Sequence, residues 1–445
     1  CVLTGATTAT NLTTLNNQTF NLGVTTVTWT STDQNGNTST CSFTVTVQKP
    51  VVANQTATVC SDIVTGLTLG TSTSASAVVS YNINSITTTL ASSAGSPATG
   101  AALPISVIAD DAFTNTGNSQ STVVYNITPV SSTGCEGSPF TATITVNPTP
   151  ALSSTLTPPA ICSGTTFAYT ATSATVASSG STTMSWTRAT IAGITQAGTS
   201  GSGNISEALT NTTSAAIDVT YVYAITSNGC SATNNVVVSV GPLPVANAGV
   251  DQVVCNGANV TLAATGTNTN VWNNGVTNNV AFVANNSTSA PVTTTYTLTV
   301  TNASGCVNTD QVDVTVNPTP TVNTIANQVV CATTATTAVN FASTFNVTGT
   351  SYSWTNSSIA IGLAASGTGD ISSFTATNAT TSPIVATITV TPNANACAGT
   401  AKTFTITVQP TPVANQQSSI VYCGNNQQPG ITFTGTTPNT QYVWT

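Results

Sequence analysis

Histidine is absent from the 445 residues, and charge is nearly so: Lys+Arg number 3 and Asp+Glu 11, for a net charge of −8. Without imidazole there is no Ser-His-Asp or Cys-His catalytic set, and no zinc site that needs a histidine ligand. Three basic side chains cannot neutralise a run of phosphates, so nucleic acid is excluded as a partner. Only 3% of residues are charged, against roughly a quarter in an ordinary domain. Too few Glu, Lys, Arg and Met remain to build amphipathic helices. No long apolar run calls for insertion in a membrane. Most enzyme chemistry falls with these absences, and the chain reads as a non-enzyme.

What is present is ordered. The hydrophobic share is 40% and mean hydropathy +0.21, too apolar for a chain that stays disordered for lack of a core. Runs such as Phe43-Thr44-Val45-Thr46-Val47 and Thr297-Leu298-Thr299-Val300 alternate with period two, the pattern of half-buried strands. Thr on the outer face suits the pleat through its β-branched side chain. The fold class is all-β.

A seam recurs. A strand of the Thr-Val type meets proline, then a short extended stretch, then cysteine: Pro50 before Cys60, Pro148 before Cys162, Pro242 before Cys255, Pro318 before Cys331 and Pro410 before Cys423. The spacing, roughly 75–100 residues, is that of an immunoglobulin-like sandwich. The expected division is a partial module over 1–49, sandwich modules over 50–148, 149–242, 243–318 and 319–410, and the start of a further module over 411–445. Seams of the Pro-Thr-Pro kind favour an extended linkage, so a tandem array forming an elongated rod is expected.

Each module carries one aromatic at the same register after its first cysteine: Tyr81, Trp186, Trp272, Trp354 and, in the last partial copy, Trp444, with Trp29 as the equivalent in the first. One aromatic per module among small alternating residues reads as a core anchor rather than a sugar-stacking platform. Strands with Tyr125, Tyr221 or Tyr296 follow, then a tight Gly-containing turn with the second cysteine, as in Asn228-Gly229-Cys230. Eleven cysteines taken module by module give Cys1–Cys41, Cys60–Cys135, Cys162–Cys230, Cys255–Cys306 and Cys331–Cys397. Cys423 is left over, its module stopping at Thr445, and the leading Cys1 without a signal peptide suggests that the first module is cut as well. Such pairs imply an oxidising, extracellular compartment. Each closed loop would add roughly 4 kcal/mol on the chain-entropy model. No C-x2-C spacing supports metal instead.

Residues 22–47 resemble the second half of a hyalin-repeat (HYR) domain, through Val27-Thr28, Thr32-Asp33, Gly36-Asn37 and Cys41-Ser42-Phe43-Thr44-Val45. From residue 50 onward, the Asn-Pro-Thr-Pro seams and Val-Val-Cys starts resemble the PKD-like, Ig-like repeats of giant surface adhesins of gliding Bacteroidetes. The resemblance implies export by the type IX secretion system, display at the outer cell surface, and a place in adhesion or gliding motility. The implied partners are other repeats of the same chain, an extracellular polysaccharide or solid surface, and the secretion and surface-attachment machinery. The family's signal peptide and C-terminal sorting domain do not occur in these residues.

Cofactors are expected to be none, with structural calcium the one candidate. Asp33-Gln34-Asn35-Gly36-Asn37 has the oxygen spacing of a calcium loop without its closing Glu, and equally suits a hairpin turn. Asp310 and Asp313 flank a closing strand near Asp251 of the same module, where an inter-module calcium site is conceivable. Asp110-Asp111 has no partner base in sequence and reads as an exposed loop, and Arg188 reads as a solvated strand residue. Sequons such as Asn11, Asn54, Asn259 and Asn302 arise by chance in this composition. With only Lys49 and Lys402, Lys–Asn isopeptide bonds are no general device. The reading is a structural stalk segment of an extracellular adhesin; the alternatives are repeats that themselves bind polysaccharide or solid surfaces, and a subunit of a filament or sheath.

Overall fold

A computed structural model describes residues 1–178, 181–266, 268–421, 423–424, 427 and 430–445. Its regular structure is β throughout, apart from a single 3-10 turn at Ile359–Ile361. The chain divides into two compact units, Cys1–Pro242 and Leu243–Thr445.

Within the first unit, Val2–Gly5, Gly23–Thr32 and Thr38–Val47 form a three-stranded antiparallel sheet. The next sheet runs in the order Gln55–Cys60, Phe140–Asn147, Ser121–Ser131, Val78–Thr87, Gly100–Leu103, and the pair Ala91–Ala94 and Ala112–Thr114 forms a second, small sheet. The pattern repeats as Ile161–Cys162, Cys230–Gly241, Ile217–Ser227, Thr183–Arg188, Thr199–Ser202, with a small sheet of Thr166–Tyr169 and Ile205–Ala208.

The second unit has the same plan twice. One sheet orders Gln252–Cys255, Val307–Asn317, Val292–Thr301 and Thr269–Trp272, with a small sheet of Ala258–Thr261 and Ala281–Ala284. The other orders Gln328–Cys331, Lys402–Gln409, Ile384–Ala394, Ser351–Asn356 and Ser366–Thr368. Over 411–445 the described residues contribute one isolated bridge, Ala414 with Gly435, and no strand.

The alternation seen in the sequence is the cause of the packing. Val123, Tyr125 and Ile127 of one strand and Ala142, Ile144 and Val146 of its neighbour are fully buried, while the residues between them face outward. Tyr81, Trp186, Trp272 and Trp354 lie in the cores. Trp186 covers Gly201 on the adjacent strand and Trp354 covers Gly367, each pair in register, so the glycines leave room for the indoles. Trp29 is half-buried, whereas Trp444 is 79% exposed and anchors no core, because no sheet encloses it among the described residues.

Strand pairing at the sheet edge fixes where the cysteines sit. In all four of these sheets the first short strand pairs in parallel with the last strand, and the rest is antiparallel. The register sets Cys60 beside Asn147, Cys162 beside Gly241, Cys255 beside Asn317 and Cys331 beside Gln409. Each first cysteine therefore sits at the trailing end of its sandwich, where the chain departs through the seam proline. The second cysteine lies in or beside the hairpin that precedes the last strand, at the opposite, leading end.

Candidate functional site: the joint between sandwiches

This placement overturns the pairing expected within modules. The eight-residue strand Phe140–Asn147 holds Cys60 and Cys135 about 25 Å apart at 3.2–3.4 Å per residue. A disulfide needs Cα atoms within about 7 Å. The structure instead joins Cys60 to Cys230 and Cys255 to Cys397, with Cα–Cα distances of 5.7 and 5.6 Å. Each bond links the trailing end of one sandwich to the leading hairpin of the next. The expected Cys162–Cys230 and Cys255–Cys306 pairs are thereby excluded; Cys162 and Cys306 are disulfide-bonded too. Cys135, Cys331 and Cys423 are exposed thiols, so Cys60–Cys135 and Cys331–Cys397 do not form. Nor does Cys1–Cys41: both cysteines are free, and they flank Trp29 from either side of the central strand. Two strand spacings, about 9–10 Å, separate them.

Polar contacts reinforce each joint. In the first unit the Asn147 side-chain amide donates to the Asn228 carbonyl at 3.0 Å, and Gln120 donates to both Asn147 Oδ1 (2.9 Å) and Ser178 Oγ (3.0 Å). The Ser178 backbone and hydroxyl both donate to Asn228 Oδ1, at 2.7 and 2.9 Å. In the second unit the Asn317 amide donates to the Asn395 carbonyl, again at 3.0 Å. Asn147 and Asn317 precede the seam prolines Pro148 and Pro318, and both are buried.

The receiving hairpins are built alike. Asn228 and Gly229 have φ of 53° and 78°, and Asn395 and Ala396 have 48° and 64°, the two positive φ values of a tight two-residue hairpin turn. The cysteine that follows each turn, Cys230 or Cys397, is buried. Gly399, two residues after Cys397, lies against the Pro320 carbonyl where a Cβ would collide with it, and Gly137 stands likewise to Pro50.

A second device, which the sequence reading missed, secures the trailing ends. Asn115, Asn211, Asn286 and Asn378 each donate from Nδ2 to two carbonyls: one four residues ahead, and one on the last strand two residues before the seam proline. The strand carbonyls are those of Val146, Val240, Val316 and Val408, all at 2.8 Å or less. The Oδ1 of each accepts from the backbone N–H two residues on. The signal available was an Asn, four residues short of a small residue, recurring before each penultimate strand.

The charged residues take structural positions. Arg188, expected in solvent, is 2% exposed and forks onto Glu207, with Nε–Oε2 at 2.9 Å. Tyr221 donates to the same carboxylate at 2.6 Å, and burial followed by that carboxylate pushes its phenol far up. Asp111, expected in an exposed loop, is buried at 1% and accepts a hydrogen bond from Tyr125. Burial raises its carboxyl above the ordinary value. Asp33 accepts from the backbone N–H groups of Asn35 and Asn37, closing a hairpin turn. Asp310 accepts from the Ala248 N–H, which lowers its carboxyl, and Asp251 accepts from the Asp313 N–H. Among the described residues no three His, Cys, Asp or Glu come together as metal ligands. Among the same residues no helix is long and apolar enough to cross a membrane.

The family model of the PKD-like domain matches residues 92–150, 159–244 and 328–412, and that of the HYR domain matches 3–47. No curated protein matches the sequence. Solved structures similar to the chain include the human desmocollin-1 ectodomain, at 12% identity over 86% of this chain and 84% of that one, TM-score 0.22. Drosophila OTK extracellular domains 3–5 align at 13% identity over 58% and 95%, TM-score 0.24. The titin I-band fragment I67–I69 aligns at 7% identity over 59% and 98%, TM-score 0.27. At these scores nothing of those proteins' behaviour carries over.

Proposed function

The chain belongs to the PKD-like domain family, and from that premise we propose that it is the structural stalk of a secreted cell-surface adhesin, a spacer that bears load between a distal binding region and the cell. Tandem PKD-like and HYR modules suggest an extracellular adhesion or structural role. The observation that carries the stalk reading is the joint. A spacer needs strength between its modules, and here the covalent cross-links run from one sandwich to the next. Buried polar groups such as Arg188 on Glu207 and Asn211 on Val240 likewise hold strands and turns. Disulfides of this kind suit an oxidising exterior. In its most specific form the proposal is a giant repeat adhesin of gliding Bacteroidetes, exported by type IX secretion and serving attachment or gliding. The Asn-Pro-Thr-Pro seams support that reading.

The test is retention under flow. Beads coated with the chain are passed over glass, agarose and a panel of immobilised polysaccharides. A spacer gives no retention above bare beads on any of them. Retention that soluble glycan competes away would make the repeats themselves the adhesive element and would overturn the spacer reading.

A further inference from the structure

Bond connectivity decides which part of a pulled chain feels the pull, because tension follows the shortest covalent route. In the first unit that route runs along Gln55–Cys60, crosses the disulfide and continues along Cys230–Gly241. In the second it runs along Gln252–Cys255 and crosses to Cys397. The bonded cysteines are separated by 170 and 142 residues in sequence, and everything between them lies off the route. We infer that the joints are a covalent bypass: end-to-end tension passes through the first strand of one sandwich and the last strand of the next, and the residues between the bonded cysteines are shielded from it.

The local geometry suits that task. Cys60 ends a strand held by a six-residue parallel register to Phe140–Asn147, so the loaded segment is laid along its own sandwich. Cys230 and Cys397 are 3% and 1% exposed, so one sulfur of each bond is shielded from solvent reductant. The amide contacts Asn147 to Asn228 and Asn317 to Asn395 stand beside the bonds and keep the two ends in place. A module that unfolds under load then releases no length from behind its bond. The inference rests on the proposed stalk function, and adds that the load bypasses the residues between the bonded cysteines.

Single-molecule stretching of the full chain, held by tags at its two ends, tests it. The oxidised chain, pulled until no further length is released, is expected to fall short of the same chain in a phosphine reductant by about 1,000 Å, taking roughly 3.4 Å for each residue behind the bonds. The shortfall should persist in a variant with Cys1, Cys41, Cys135, Cys331 and Cys423 all changed to Ser, since none of these is in either bond. Equal lengths with and without reductant would overturn the bypass. A fall of the shortfall to about 400 Å in the five-serine variant would overturn it too, because bonds closed within modules would leave only Cys162–Cys230 and Cys255–Cys306 to hold length back. Retention in the flow assay, by contrast, would remove the spacer reading and leave the extension measurement unaffected.

Discussion

Replacing Asn211 by alanine takes the side-chain amide from the carbonyls of Val240 and Ala215, the latter keeping only the Thr213 hydroxyl, in a site where Asn211 is 6% exposed. Each buried hydrogen bond lost in this way costs about 1–3 kcal/mol. Asn211→Ala is therefore expected to lower the stability of its sandwich by about 2 kcal/mol or more, read from urea unfolding followed by Trp186 fluorescence. An unchanged midpoint would show that the clamp is decorative. This residue was hard to see in sequence for a plain reason. A chain rich in Asn and Thr offers many asparagines in turns, three of the four clamps among many Asn-x-Thr triplets, and only the fold distinguishes the four whose amides meet the last strand.

Asp111 gives a pH signature. Its folded carboxyl titrates above the ordinary value of 3.8 because it is buried, the Tyr125 hydroxyl only partly offsetting that burial. A raised acid binds its proton more tightly in the folded state, so its stabilising contribution is complete below the unfolded value and is lost as pH climbs through the folded one. Asp111→Asn removes that proton linkage. The variant should gain in melting temperature relative to the parent as pH rises from 4 to 7, measured by calorimetry across that range. A parallel pair of pH curves would contradict the assignment.

At the scale of the element, the strands were legible and their ends were not. Period-two runs such as Thr141 to Val146 announce a half-buried strand, and the seam prolines mark where strands stop. Cysteine connectivity was illegible because nothing local tells which end of a sandwich a cysteine occupies. That depends on the parallel pairing of the first strand with the last, a contact between residues as far apart as Cys60 and Asn147. The hairpins show the same limit. Gly229 fits a positive φ, whereas Ala396 occupies the equivalent place at φ 64° with a Cβ that disfavours it. Ala396→Gly should stabilise its sandwich by about 1 kcal/mol, seen as a rise in the denaturant midpoint; a fall would mean that the alanine methyl makes a contact worth more than the strain.

For the molecule as a whole, scarcity of charge becomes protection. Trypsin has three basic residues to act on: Lys49 is followed by proline, Arg188 is buried on Glu207, and Lys402 begins a paired strand. The native chain should stay intact in trypsin under conditions where the heat-unfolded, reduced chain is cut after Arg188 and Lys402, as followed by mass spectrometry. Cleavage after Arg188 at comparable rates in both states would show that its strand opens readily.

The crossing of bonds from one sandwich to the next also dictates an order of events during maturation. Cys135 stands less than half as far along the chain from Cys60 as Cys230 does, and in an unfolded chain the nearer thiol is favoured by somewhat under 1 kcal/mol of closure entropy. Oxidation before folding would therefore select the wrong partner. Once the sheet has formed, it keeps Cys60 and Cys135 at opposite ends and leaves Cys60 waiting for the next hairpin to arrive. The sandwich thus acts as a proofreader of its own cross-links, and a maturing chain has to fold first and oxidise second.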